Sequence, residues 1–278
     1  MKFAELIPPI LESPLLKLAE RIKFAKVRDK REIRANLKLK DSAKGKRAFM
    51  IATGPSIKQE DLSVLAREDC YTISNFFLHE KLDIVNPRFH FFAPYHKPLI
   101  LENYIAWLKK ADDVLPESTE MVLCIKDRNL IESSDLFTNR IVHYLHFSNS
   151  PYFSNKVDLT YPILSPITGP LMMLPVLIYM GYSQIYLIGC DHTVLRDFKK
   201  TITHFYDKQS DMRQNASDVN AWEDIIESHR SSLAIFLQYQ FYKKMLTKAY
   251  KNVEIINLSS DSWLDMFQTN RLKDVIKK

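Results

Sequence analysis

Glycine is scarce in this chain, with 5 among 278 residues, and cysteine scarcer, with 3. Cys70, Cys124 and Cys190 lie far apart in apolar runs, so they give no metal-ligand spacing and read as buried, reduced thiols of a cytosolic protein. The G-x-G-x-x-G fingerprint is missing, and so is a P-loop ending in Gly-Lys-Ser/Thr. H-E-x-x-H, G-x-S-x-G and Cys-plus-His protease signatures are missing too. No Asp-x-Asp pair stands at a predicted strand end; Ser260-Asp261-Ser262 is too far along the chain to replace it. A membrane span needs roughly 20 uninterrupted apolar residues. The most apolar stretch, Thr168 to Asp191, is divided by Pro175, Gly181, Ser183 and Gln184. The opening MKFAELIPPI lacks the apolar run and cleavage site of a secretory signal.

What is present is ordinary globular composition, 46% hydrophobic and 26% charged. The net charge of +6 is unevenly placed. Lys17 to Arg47 holds 13 cations against 4 acids, an excess of nine, which leaves −3 for the remainder. Nucleic-acid binding by the core is therefore excluded as an expectation. Residues 13–40 read as helical, with Leu15, Leu18, Ala19, Ile22 and Ala25 on one face. That face suits either an anionic membrane surface or packing on the core or on a second subunit, so a homo-oligomer stays open. The expected location is the cytoplasm, with peripheral attachment to the inner face of the cell membrane through this segment.

The polar link Ser42 to Lys46 marks a boundary between a basic N-terminal extension, 1–46, and a nucleotide-binding domain, 47–278. Strands are predicted at 47–53, 70–75, 89–93, 120–125, 141–147, 184–189 and 253–258. Helices are predicted at 59–67, 98–110, 168–181, within 221–250, and at 263–275. Strand-then-helix alternation predicts an α/β fold, a doubly wound, mostly parallel Rossmann-like sheet. The polar stretch within 192–220 reads as a lid.

Candidate site residues fall at predicted carboxyl strand ends, where open α/β sheets place ligands. Thr53, Gly54, Pro55 and Ser56 form a small turn through which a nucleotide could approach the backbone. Asn75 could hydrogen-bond a base or ribose. Thr168 and Gly169 open the central helix, and Asp191 follows the central strand. His192, His204, Tyr206, Asp207 and His229 follow as titratable groups, and a histidine there could serve as general base. Each has a plainer alternative: a βα turn, a strand-end Asn, a helix cap, an exposed helical histidine.

The order I-A-T-G-P-S, T-I-S-N-F-F, I-T-G-P and M-G-Y-S-Q-I-Y-L-I-G-C-D resembles bacterial sialyltransferases of lipooligosaccharide synthesis, glycosyltransferase family 42. It is also similar to a wider group with motility accessory factors and hydroxymethylpterin pyrophosphokinase-like proteins. The resemblance covers roughly residues 47–265. It implies a GT-A-like variant of the fold and metal-independent transfer of a sugar, sialic acid or a related nonulosonic acid, from a nucleotide sugar to a cell-surface glycan such as lipopolysaccharide. No cofactor is implied, and the donor would be CMP-linked. Thr53, Gly54, Pro55, Ser56 and Asn75 would face the nucleotide, and Thr168 and Gly169 its phosphate. Tyr206 would stabilise the leaving phosphate, and His229 would deprotonate the acceptor, with His204 as rival. The chain departs from the family with Thr53, Ala93 and Pro166-Ile-Thr-Gly-Pro at positions where the sialyltransferases carry Asn, Asn and Arg-Ile-Thr-Ser-Gly. Two alternatives stand beside this reading. One is an ATP- and Mg²⁺-dependent pyrophosphokinase using Asp191 and Asp207; the other is a non-catalytic nucleotide-binding protein.

Overall fold

The computed structural model describes residues 14–28, 30–97, 99–196, 204–213 and 224–276. Its helices are α1 (Pro14–Ala25), α2 (Lys30–Arg34), α3 (Leu82–Val85), α4 (Leu101–Val114), α5 (Arg128–Ser133), α6 (Gly169–Met180), α7 (Ile225–Ala249) and α8 (Leu272–Ile276). Strands β1 (Arg47–Ile51), β2 (Asp69–Ile73), β3 (Phe89–Phe91), β4 (Glu120–Cys124) and β5 (Val142–Leu145) come first. After them come β6 (Phe147–Ser148), β7 (Ile163–Leu164), β8 (Gln184–Ile188), β9 (Glu254–Asn257) and β10 (Gln268–Thr269). Eight of these form one parallel sheet in the order β10-β9-β8-β1-β2-β3-β4-β5. The expected parallel α/β sheet is thus observed.

The strand period of two sorts side chains into two cores. Ala48, Met50, Tyr71, Ile73, Ile185 and Leu187 face α6 and α7. Phe49, Ile51, Cys70, Tyr186 and Ile188 face the other layer, which contains α4 and α8. Every residue of α6 from Pro170 to Met180 is buried, as its all-apolar sequence requires. Gly181 ends α6 at φ 85°, a conformation suited to glycine. Thr168 occupies the N-cap position in extended conformation, but its side chain makes no capping hydrogen bond, contrary to the sequence expectation.

Several elements differ from the sequence reading. The helix expected at 59–67 is instead two 3₁₀ segments, Pro55–Gln59 and Leu62–Leu65. Only Leu272–Ile276 of the expected terminal helix is helical, and β10 precedes it. The proposed boundary at residue 46 falls in a stretch woven into the core. Ile33, Leu39 and Ala43 are buried. Asn36 donates to the carbonyls of Tyr144 and Leu159, at 2.8 and 3.1 Å. The N–H groups of Asp41, Ala43 and Gly45 donate to the carbonyls of Tyr179, Met180 and Gly181. Residues 30–45 thus cover the end of α6 and the β5 edge. Ile33→Ala is expected to cost about 2–5 kcal/mol in urea unfolding, the range for a fully buried large-to-small change. A cost under about 1 kcal/mol would show that this segment is an appendage.

Candidate active site

Strand order reverses between β1 and β8, since the chain runs outward to β5 on one side and to β10 on the other. The carboxyl ends of these two strands form the switch point, where a crevice is expected. Gly54 N donates to Gly189 O at 3.0 Å. Asp191 then accepts from Ser56 N at 2.9 Å and from Ser56 Oγ at 2.5 Å. A Cβ on Gly54 would stand 2.5 Å from both Asp191 Oδ2 and Gly189 O. The glycine therefore allows two strand ends to meet, a role different from the expected close approach of nucleotide to backbone. Gly189 itself has φ 67°. Burial pushes the Asp191 carboxyl up, and the two bonds from Ser56 work against that push. With its two oxygens held by Ser56, Asp191 is a structural fastener rather than an open ligand. Asp207, its partner in the pyrophosphokinase reading, is exposed.

The next strand end carries Asn75, with no exposed surface. Trp107 Nε1 donates to Asn75 Oδ1. Asn75 follows Ser74, which has φ 58°. That left-handed turn is held by a buried imidazole: His90 Nε2 pairs with Ser74 O at 2.9 Å, and Nδ1 with Thr72 Oγ1 at 2.7 Å. The carbonyl partner requires Nε2 to carry the proton, so Nδ1 accepts from the Thr72 hydroxyl. Burial pushes His90 down to about 3, so it remains neutral at physiological pH.

Segment 204–213 closes over the same corner. Phe205 N donates to Thr53 O at 3.2 Å, and His204 Nδ1 lies 3.2 Å from that carbonyl. His204 stacks on Tyr206 with centroids 4.9 Å apart and ring planes 5° from parallel. Burial lowers His204 and raises Tyr206 to about 12, so a neutral imidazole and a protonated phenol sit side by side. With Nδ1–H directed at Thr53 O, Nε2 carries the lone pair. Further along, Arg213 pairs with Asp211 at 2.8 Å and lies 4.2 Å over the Trp107 ring. Arg213 Nη2 is 3.5 Å from Tyr206 Oη. A cavity of about 730 Å³, large enough for a nucleotide-sized ligand, opens beside Tyr206 between Ile57, Glu60, Leu78, His79 and Phe205.

The structure thus brings Thr53, Gly54, Ser56, Asn75, Asp191, His204 and Tyr206 to one end of the sheet. Gly169 belongs there too, since its Cβ position would be 2.8 Å from Ile73 Cδ1 at the end of β2. His229 is different. It is exposed on the first turns of α7, and its Nδ1 is 2.8 Å from Ile225 O of its own helix. Ten residues further on, Tyr239 reaches His192 at the end of β8, 3.0 Å from Nε2. His229 therefore stands roughly 15 Å of helix beyond that level. His192 is pushed down to about 4 by burial and is held by Tyr239. Trp107, Asp211 and Arg213 were missed from sequence. Trp107 reads as the apolar face of α4, and the other two lie in a long polar stretch without periodicity. Among the described residues, no group of three or more His, Cys, Asp or Glu converges as a metal site would.

No protein-family model matches the chain, and no curated protein does. Among solved structures, the chain is similar to the sialyltransferase CstII from Campylobacter jejuni in complex with a substrate analogue, cytidine-5′-monophosphate. The identity is 17%, the TM-score 0.46, and the match covers 81% of this chain and 85% of that one. It is also similar to the sialyltransferase CST-II in complex with trisaccharide acceptor and CMP, at 16% identity and TM-score 0.48, covering 80% and 85% of the two chains.

Gly54→Ala places a methyl group against Asp191 and the Gly189 carbonyl. It is expected to destabilise the protein by roughly 1–3 kcal/mol, as overpacking does. Unchanged urea unfolding would show that the two strand ends are not in fixed contact.

Proposed function

We propose that the chain is a glycosyltransferase that moves a sugar from a nucleotide donor to a glycan acceptor, without a metal ion. One observation carries this reading. Thr53, Asn75, His204 and Tyr206, from three separate stretches, gather at the carboxyl end of the central strands, and Tyr206 also lines a nucleotide-sized cavity that runs along residues 57–62 and 78–81. The reaction forms a bond from an acceptor oxygen to the anomeric carbon and breaks that carbon's bond to a phosphate oxygen. The acceptor proton needs a base, and the departing phosphate needs a donor.

His204 fits the first need. Its imidazole is neutral, its Nδ1–H is tied to Thr53 O, and Nε2 is left to take a proton. Tyr206, kept protonated by burial, is an O–H donor for the phosphate oxygen. At the first turn of α6 the Gly169 N–H is a further donor, since Pro170 has no N–H and the Leu171 N–H is bonded to Thr168 O. His229, exposed on the first turns of α7, is the rival for this role. The motif resemblance supports a CMP-linked sialic acid or related nonulosonic acid as donor and lipopolysaccharide as acceptor class.

The test begins with thermal shift across CMP, UMP, UDP, GDP and AMP; no shift with any would overturn the reading. With a turning-over donor and acceptor, His204→Ala is expected to lower turnover by about 10²–10⁴-fold, and His229→Ala by less than tenfold. The reverse order would return the role of base to His229. Because burial lowers His204, it stays unprotonated below its ordinary value of 6.5. Activity is therefore expected to hold as pH falls through 6.5 and to decline only at lower pH.

We further propose that the enzyme works against an anionic membrane surface. In α1, Phe24 packs inward against His146, Tyr152 and Tyr161, while Leu18 and Ile22 are 55% and 49% exposed. Part of the apolar stripe legible in sequence therefore faces out, within the segment richest in cations. Among the described residues no helix is long and apolar enough to cross a membrane. The protein is expected to sediment with vesicles containing anionic lipid and not with zwitterionic ones, and Leu18→Glu with Ile22→Glu to release it. Equal sedimentation of the two forms would overturn the surface role.

A further inference from the structure

The pair formed by Asp211 and Arg213 is half-buried beside Tyr206 and the Trp107 ring. Arg213 Nε donates to Asp211 Oδ1 at 2.9 Å, and Nη2 donates to Oδ2 at 2.8 Å. This fork is the arrangement a guanidinium offers to any planar or tetrahedral oxyanion, phosphate included. The other face of the guanidinium is spoken for by the Trp107 ring, which fixes where the fork points. Trp107 is in turn bonded to Asn75 Oδ1.

Asn75 supplies an independent sign. Its side chain has no exposed surface, yet Nδ2 has no hydrogen-bond partner among the described residues. An amide N–H₂ in that state costs free energy unless something accepts from it. Burial pushes the Asp211 carboxyl and the Tyr206 phenol up, and the Asn75 amide pulls both down, so these are the acceptors that Nδ2 faces without closing a direct hydrogen bond to either. The Arg213 fork holds the carboxylate, Tyr206 Oη stands 3.5 Å from Arg213 Nη2, and Trp107 joins Asn75 to the same guanidinium. Asp211 and Arg213 are separated by one residue, so their pairing closes only a local loop and does little to hold the fold together. A site rich in donors and filled by a local carboxylate is a site built for an anion.

We propose that Arg213, Asn75 and Tyr206 form the phosphate-binding locus of the crevice, and that Asp211 occupies it as an internal stand-in which the donor's phosphate displaces. The ligand class is a phosphate ester or anhydride; its identification as a sugar nucleotide rests on the glycosyltransferase reading. The exchange is ion for ion. One bidentate carboxylate leaves the guanidinium as one phosphate arrives, and the released Asp211 gains water. The carboxylate thus sets the affinity from inside, by competing with the ligand.

Calorimetric titration with CMP, UDP, GDP and inorganic pyrophosphate separates the outcomes. Asp211→Asn, which keeps the shape and removes the charge, is expected to tighten binding roughly tenfold or more, and Arg213→Gln to weaken it by a similar factor. Asp211→Ser serves as a second variant if Asn in that turn lowers the melting temperature. Nucleotide binding to the wild-type protein that Asp211→Asn and Asp211→Ser leave unchanged or weaken overturns the stand-in while the glycosyltransferase reading survives. Pyrophosphate binding that tightens in Asp211→Asn, with no nucleotide bound by any form, supports the anion locus and removes the sugar nucleotide. No anion bound by any variant overturns both.

Discussion

The contact between Ser56 and Asp191 is the constraint on which the crevice depends. It ties the turn after β1 to the turn after β8 through two hydrogen bonds to one carboxylate. These are the central strands, paired along Arg47 to Ile51 with Gln184 to Ile188. Asp191 is buried, so its charge is stabilised chiefly by Ser56, and loss of either Ser56 bond leaves a carboxylate short of partners in a dry place. Gly54 is required because there is no room between the two turns. From this fastening the other parts take their positions. Thr53 precedes the turn and receives segment 204–213 on its carbonyl.

Most of the polar groups around the crevice are neutral, and burial makes them so. His90 and His192 are held far below the pH at which imidazoles ordinarily charge, and Tyr206 far above. Desolvation selects the uncharged form in each case, and each imidazole keeps a partner that the neutral form can satisfy. The ion pair at Arg213 and Asp211 is the contrast, and its guanidinium rests on an aromatic face. A polarised reaction at such a corner would find fixed dipoles rather than mobile water.

The sheet was legible because its strands are short apolar runs ending in Gly, Asn or Asp, and every predicted strand exists within a few residues. Turns of 3₁₀ type at Pro55–Gln59 and Leu62–Leu65 were read as one helix, since a brief apolar repeat cannot distinguish a period of three from one of 3.6. The N-terminal segment misled through its charge. Lysines and arginines concealed that Ile33, Asn36 and Leu39 are core residues, and the carbonyls that accept from Asn36 Nδ2 lie more than a hundred positions away. The candidate residues at strand ends were read from topology, which places ligands at carboxyl strand ends. His229 was matched by family resemblance although its spacing to the last strand differs, and it is exposed on the first turns of α7. Arg213 and Asp211 could not be found by periodicity, since neither belongs to a repeating element.

The central position of β1 has a consequence for how the chain comes to be folded. Strands β1 to β5 follow one another and can pair as they are made. The other edge of β1, Ala48-Phe49-Met50-Ile51, has no partner until β8 has been synthesised. At ordinary translation rates that wait is on the order of ten seconds. During it an apolar, untwinned strand edge stands open at the middle of the future sheet, able to recruit any other extended chain. Fastening of the switch point thus waits on β8, and β9 and β10 add beyond it afterwards. A nascent chain of this protein is most in need of a chaperone in the interval between its fifth strand and its eighth.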